Sequence, residues 1–427
     1  MITTLLAACV TTATLSPTPS AGPDDAPAPD GPRSIVAAAP LGSPDWTVDC
    51  DGGADFETIG DAIDAAWEGQ WIAVAPCTYT ETVDFEGKSL WIASTGSSAD
   101  TFLDADNRRA VTADYGTGDG AALVGFTIQN SRDSSVAPIF VDQSALRLQD
   151  VVIEDSNGAY AIIYSDGADL ELEDVVIDDS NRLGYYGAIM VARGAMIADN
   201  LTVDCRTASY ATVLSHGSYF IDHSTLSCPG GTAMRVEHAT GRVHRSTILD
   251  KVTVESEDDH YDDFVIFENV HFQGAISVEY GSLLIRNSFL DGVSLSLNQV
   301  YGLYLQADVI AHTVCPITYA YTGTAPEGSD GEDTSEDYEP DPIVDVSYSL
   351  FYDNNYEHCD RRTVYSGEDG NLSGDPRFQD EDGGDYHARS GSPMIDAGLP
   401  DSAYQDPDGS TNDIGLYGGP RSIGGGW

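Results

Sequence analysis

Basic residues are scarce in this chain: 19 Lys and Arg stand against 70 Asp and Glu in 427 residues, a formal net charge of -51. A surface of that sign repels phosphate backbones and anionic bilayers at long range, so binding to nucleic acid or to an acidic membrane face is excluded. No apolar run is long enough for a transmembrane helix. No Cys-x-x-Cys pair occurs, which argues against a structural zinc site. Helical periodicity is confined to one short segment near the N-terminus. Turn formers are abundant instead, with 43 Gly and 20 Pro.

What the chain does contain is a repeat. Residues 146–156 read LRLQDVVIEDS and residues 170–180 read LELEDVVIDDS, offset by 24 residues from Asp150 to Asp174. Apolar residues fall at every second position on both sides of the acid, the signature of strand, bend, strand. Such a unit cannot bury its apolar side alone and needs copies above and below it. Aligning on the bend extends the series through Gly125, Asp150, Asp174, Asn200, His223, Arg245, Asn269, Asn287, Ala307 and Tyr348. Asn, Asp and Gly suit a sharp corner because they tolerate a left-handed backbone. The apolar pair after each bend is expected to enter the core.

At the N-terminus, Leu6-Ala7-Ala8-Cys9 resembles a bacterial lipobox, which implies lipidation of Cys9. Residues 1–9 then read as a signal remnant and residues 10–44, rich in Thr, Ser, Pro and Ala, as an extended tether. The expected address is export, to the cell surface or the medium, with membrane contact only through that lipid. Residues 45–370 read as the repeat domain, with an acidic insert at 322–342, and residues 371–427 as a distinct closing block. Ile59, Ile63, Ala66 and Trp67 form an apolar stripe at helical spacing, suited to cover the open first turn. Cys205 lies five residues after Asn200 and Cys228 five after His223, so the register predicts a Cys205–Cys228 disulfide between adjacent turns. Cys50–Cys77 is expected to pin the cap and Cys315–Cys359 to close the base of the insert.

The opening DGGADFETIGDAIDAAWEGQWIAVAPCTYTETV resembles right-handed parallel β-helix proteins of the pectin lyase-like superfamily. The closing NLSGDPRFQDEDGGDYHARSGSPMIDAG resembles the end of bacterial secreted members. The resemblance implies an all-β, right-handed parallel β-helix with a short N-terminal capping helix. It does not imply an activity, because that architecture carries lyases, hydrolases, esterases and adhesins alike. The motifs of those enzymes are incomplete here. Ser215-His216-Gly217 and Asp258-Asp259 only echo polygalacturonases, and Asp263-Phe264-Val265-Ile266-Phe267 lacks the glycine of pectin methylesterases. Phe220-Ile221-Asp222-His223-Ser224 is close to a pectate lyase segment, but His223 falls on a bend.

Two sites remain as candidates. The strands AIIYSDG, AIMVARG, ATVLSHG and TAMRVEH precede four successive bends. Alternation is expected to place Asp166, Arg193, His216 and Glu237 in one outward row, and Tyr164, Val191, Leu214 and Arg235 in a second. This face is read as a carbohydrate-binding groove, with Tyr185, Tyr186 and Tyr210 as stacking surfaces. Its bland counterpart is a ladder of mutually paired charges. Asp406, Asp408, Ser410, Asn412 and Asp413 place oxygens at spacings that suit calcium, though DPDG is also an ordinary turn. The function expected is that of a monomeric, non-catalytic surface β-helix, adhesive, structural or glycan-binding. The alternative is a lyase-like enzyme acting on an acidic polysaccharide.

Overall fold

The computed structural model describes residues 40, 42–116, 121–179, 187–205, 209–256, 264–319, 343–355 and 369–422. Cys9, most of the tether, Tyr185, Tyr186, Asp258, Asp259, Asp263, the 322–342 insert and Cys359 lie outside the described residues.

Alternating apolar residues make short strands, and the strands stack in register as a parallel β-helix. Each turn adds one strand to an eleven-stranded parallel sheet that runs from Val83–Asp84 to Ile317–Tyr319. We call it the flat wall. The rest of each turn joins a second, 23-stranded sheet that bends around a corner. We call it the bent wall. At about 4.8 Å per turn the stack is roughly 50 Å long. One inward column of the flat wall holds Ile139, Ile163, Ile189, Thr212, Met234, Val252, Ile276 and Leu295 in consecutive register. All are buried. Each large aliphatic side chain so buried contributes about 1.5–3 kcal/mol, available only when neighbouring turns are present.

The corner series is left-handed throughout. Gly125, Asp150, Asp174, Asn200, His223, Arg245, Asn269, Asn287, Ala307 and Tyr348 all have positive φ, from 44° at Arg245 to 78° at Gly125. The residues behind the corner correct the sequence reading. From the fifth corner onward the first of the expected apolar pair is often polar and buried: Ser224, Ser246, Ser288, Asp308 and Ser349. Their side chains accept backbone N–H bonds from the preceding turn, as in Leu201 N to Ser224 Oγ (3.1 Å), Ser224 N to Ser246 Oγ (3.0 Å) and Ser288 N to Asp308 Oδ1 (2.7 Å). A buried N–H at a tight corner must find an acceptor, and these side chains supply it.

Both ends are covered. The helix Ile59–Ala65 buries Ile59, Ala62 and Ile63. Glu81 accepts from Ile59 N (2.9 Å) and Gly60 N (2.8 Å), joining the helix start to the first turns. Trp67 is not part of its apolar stripe: the helix ends before it and the indole is 77% exposed. At the other end the hairpin strands Phe378–Asp380 and Asp385–Ala388 set Phe378 and Tyr386 against Phe289. The chain then runs back along the corner column as a strap. Gly415 N donates to Ala307 O (2.8 Å), Asn287 Nδ2 to Asp413 O (2.8 Å), and Asn269 Nδ2 to Leu416 O and Gly418 O (2.8 and 2.9 Å). The disulfides Cys50–Cys77 and Cys205–Cys228 are formed, with Cα separations of 6.4 and 4.7 Å.

Candidate functional site

The outward rows of the flat wall differ from the expected ones by a single residue. Asp142, Asp166, Ala192, Ser215, Glu237 and Glu255 are in register. Arg193 and His216 are not in that row: they occupy left-handed corners, with φ 58° and 53°. The physical reason lies in the glycines. Gly167 is itself the corner, with φ 58°, whereas Gly194 and Gly217 follow theirs. A Cβ at Gly194 would lie 1.9 Å from Ala168 O, and one at Gly217 2.0 Å from Gly194 O, so close backbone approach demands glycine there. Aligning the strands on glycine therefore slips them by one residue, which reverses side-chain direction. The second row corrects likewise. It holds Phe140, Tyr164, Met190, Val213 and Arg235, while Val191 and Leu214 point inward and are buried.

The charged candidates pair with one another. Arg193 donates to Asp166 through Nε (2.9 Å) and Nη2 (2.6 and 2.7 Å), and that carboxylate raises its pKa. Arg235 Nη2 lies 2.5 Å from Glu237 and 2.9 Å from Glu255, while its Nη1 donates to Tyr210 Oη (2.8 Å). Burial opposes the Arg235 charge, and the two carboxylates outweigh it and raise the pKa. His216 Nδ1 is 2.8 Å from Ser215 Oγ, and its ring lies 4.8 Å from that of His238.

Between these pairs the same wall carries an aromatic row. Phe140 and Tyr164 stack almost parallel, 4° between planes and 6.1 Å between centroids, and Tyr160 lies 6.2 Å from Tyr164. Tyr164 and Tyr210 pack with Ala161, Met190 and Val213. The Arg109 guanidinium covers Phe140 at 4.6 Å and donates from Nε to Asp133 Oδ2 (2.7 Å). Burial works against the Asp133 charge, but hydrogen bonds from Ser135 and Arg109 lower its pKa to about 2. Beside them opens a surface cavity of about 390 Å³, lined by Asp84, Arg108, Arg109, Thr112, Asp133 and Ser135, with Thr82 and Val83. The cavity continues the row, because Thr112 and Phe140 are in register. The pattern was present in the strand Ile139–Asp142, where alternation sets Phe140 outward beside inward Ile139 and Val141.

His223 sits at its corner with φ 46°, and its Nδ1 is 3.0 Å from Asp199 Oδ1. Asp199, Asp222 and His223 are close enough to share a cation. Asp222 already has one. It accepts from Arg245 Nε (2.9 Å), and although burial raises its pKa, His244 and Arg245 hold it well below the usual range. In the strap, Asp406 accepts from Gly419 N and Asp413 N, and Asp413 accepts from Asp396 N. Asn412 pairs with Asn287, while Asp408 and Ser410 bond to each other at the surface. The five residues thus share one turn, but their bonds run mostly to backbone and neighbours.

No family model and no curated protein matches the chain. Among solved structures, it is similar to an alginate lyase of the PL6 family at TM-score 0.44 and 11% identity, covering 78% of this chain and 54% of the lyase. It is also similar to a pectate lyase (TM-score 0.29, 11% identity, 84% and 90% covered). A third likeness is to the pectin methylesterase of carrot (TM-score 0.25, 15% identity, 79% and 90% covered). The chain thus spans about half the length of the alginate lyase.

Proposed function

We propose that this protein is an exported, non-catalytic β-helix that binds a glycan along its flat wall. The observation that carries the reading is the row of Arg109, Phe140 and Tyr164, with Tyr160 beside it and a cavity at its end. Aromatic faces offer large, rigid apolar area against which sugar rings stack, and polar groups at the rim orient the hydroxyls. A catalyst would need carboxylates set to exchange a proton at the glycosidic bond. Three carboxylates on or beside this wall instead bond to guanidiniums within the protein: Asp133 to Arg109, Asp166 to Arg193, Glu237 to Arg235. Two disulfides favour an oxidising compartment and hence export. Attachment through Cys9 and calcium in the strap turn belong to the same reading.

The test is a glycan array with neutral and acidic oligosaccharides. A parallel incubation with acidic polysaccharides, with and without calcium, is assayed for unsaturated product and reducing ends. Binding without product is the expected result. Product formation would replace this reading by the lyase-like one.

A further inference from the structure

The aromatic row of the flat wall has an acidic row beside it. Asp84, Thr112, Phe140 and Tyr164 stand in register on successive turns. Two residues further along the same strands stand Asp114, Asp142 and Asp166, also in register. Residues two apart on a strand share a face, so the carboxylates run parallel to the rings about 7 Å away, turn after turn. Asp166 is bonded to Arg193, whereas Asp114 and Asp142 take part in no ion pair among the described residues.

The arginines of this face stand among carboxylates. Arg109, which covers Phe140, meets Asp133 through Nε (2.7 Å) and Nη2 (2.6 Å) and reaches Ser135 Oγ (3.4 Å). Arg193 holds both oxygens of Asp166, and that bond raises its pKa first, with the Asp142 charge adding to the effect. Arg108 donates from Nε to Ala105 O (3.2 Å) and shares the cavity with Asp84 and Asp133. Arg235, further along the wall, lies between Glu237 and Glu255.

A sugar ring stacked on Phe140 and Tyr164 sets its edge groups beside Asp142. A uronate or sulfate group there meets like charge, and the net charge of -51 adds repulsion at longer range. A hydroxyl meets a strong acceptor instead, because an ionised carboxylate holds an O–H donor about twice as firmly as a neutral acceptor does. Thr82, Thr112 and Ser135 around the cavity offer further hydroxyls that both donate and accept. We infer that the flat wall takes a neutral glycan, free of uronate and sulfate groups, with Asp114 and Asp142 accepting hydroxyl hydrogens of the stacked sugars. This inference rests on the reading of the flat wall as the glycan-binding face and names the class of glycan.

The probes are oligosaccharide pairs that differ only in acidity: tetragalacturonate with its methyl ester, and cellotetraose with the tetrauronate made by oxidising its primary alcohols. Each is titrated calorimetrically into the full chain at low salt. Within a pair that binds, the neutral member is expected to bind at least about tenfold tighter. Raising the ionic strength should narrow that gap, because the carboxylates face water. Asp142→Asn should tighten the acidic member about threefold. Circular dichroism verifies the fold, and Asp114→Asn gives the same reading one turn away if Asp142→Asn does not fold. An acidic member that binds as tightly as its neutral partner overturns this inference and leaves the glycan-binding reading standing. An unchanged gap in the folded variant overturns it as well. Absence of binding by all four probes and by every glycan on the array overturns the glycan-binding reading, and this inference with it.

Discussion

The two walls of this helix are wound from the same turns but present opposite exteriors. The flat wall turns outward a row of aromatics with ion pairs at its sides. The bent wall turns outward a denser set of charges, and over its later turns the strap covers them: Arg286 meets Tyr404, and Asn269 and Asn287 meet strap carbonyls. Identical interior packing therefore says nothing about which side recognises a ligand. Coverage does. A wall sealed by its own chain contributes stability, while the wall that the strap does not cover is the candidate for binding.

The comparison can be broken first at the strap. Asn287→Ala removes three buried hydrogen bonds to Asn412 and Asp413 and puts alanine at a left-handed corner. A loss of about 2–4 kcal/mol in urea unfolding is expected, with faster amide exchange at Gly415 and Gly418. The flat wall should be unaffected.

Asp308 tests the polar ladder beneath the covered corner. It is fully buried; burial raises its pKa well above the usual value, against hydrogen bonds from Ser288 and Gln306, and its Oδ2 has no partner. In the same column Asn371 Nδ2 donates to Val346 O (2.6 Å). Asp308→Asn gains the equivalent donor without a charge to bury, so it should stabilise the chain at pH 8 by about 1–3 kcal/mol. A lowered melting temperature there would show that the aspartate is needed as an acid.

pH separates the strap from the walls by sign. Burial, reinforced by neighbouring aspartates, raises Asp406 to about 6 and Asp413 to about 7 in the strap. Groups with raised folded pKa values contribute stability that is complete below the unfolded value near 3.8 and is lost as pH rises through 6–7. Beside the flat wall Asp133 is lowered to about 2, so its contribution is present above pH 3.8 and is lost as pH falls through 2. Asp291, held by His271 and His312, is also lowered to about 2. Thermal stability should peak near pH 4, falling towards pH 2 and towards pH 7. A profile rising steadily to pH 8 would contradict the burial of the strap carboxylates.

The smallest effect belongs to the exposed pair. Arg193→Ala breaks the bond to Asp166, but the arginine side chain is 70% exposed. No measurable change in melting temperature is expected.

Much of this architecture is legible in the sequence, and the exceptions have physical causes. The corner series is readable because Asn, Asp and Gly recur at fixed offsets between apolar alternations, and the same offset pairs Cys205 with Cys228. The corner that ends each flat-wall strand is displaced by one residue in a glycine-aligned reading because glycine serves two purposes there: a left-handed backbone at Gly167, and close approach at Gly194 and Gly217. Ser224 and Asp308 fell outside an apolar reading because their acceptors serve backbone N–H groups of another turn. The strap was not readable at all. Asn287 and Asp413 are 126 residues apart, and no local pattern specifies their bond. The aromatic row was half visible, with Tyr164 assigned outward and Phe140 overlooked.

The central claim is that the open wall binds a glycan through its aromatic row. The most direct measurement is calorimetric titration of an array-selected oligosaccharide into wild type and a Phe140→Ala/Tyr164→Ala double variant, with product analysis of the same samples. The account predicts intact ligand and an affinity at least about tenfold weaker in the double variant, with an unchanged melting profile. Equal affinity in the two proteins, or cleaved oligosaccharide in the wild-type sample, would contradict it.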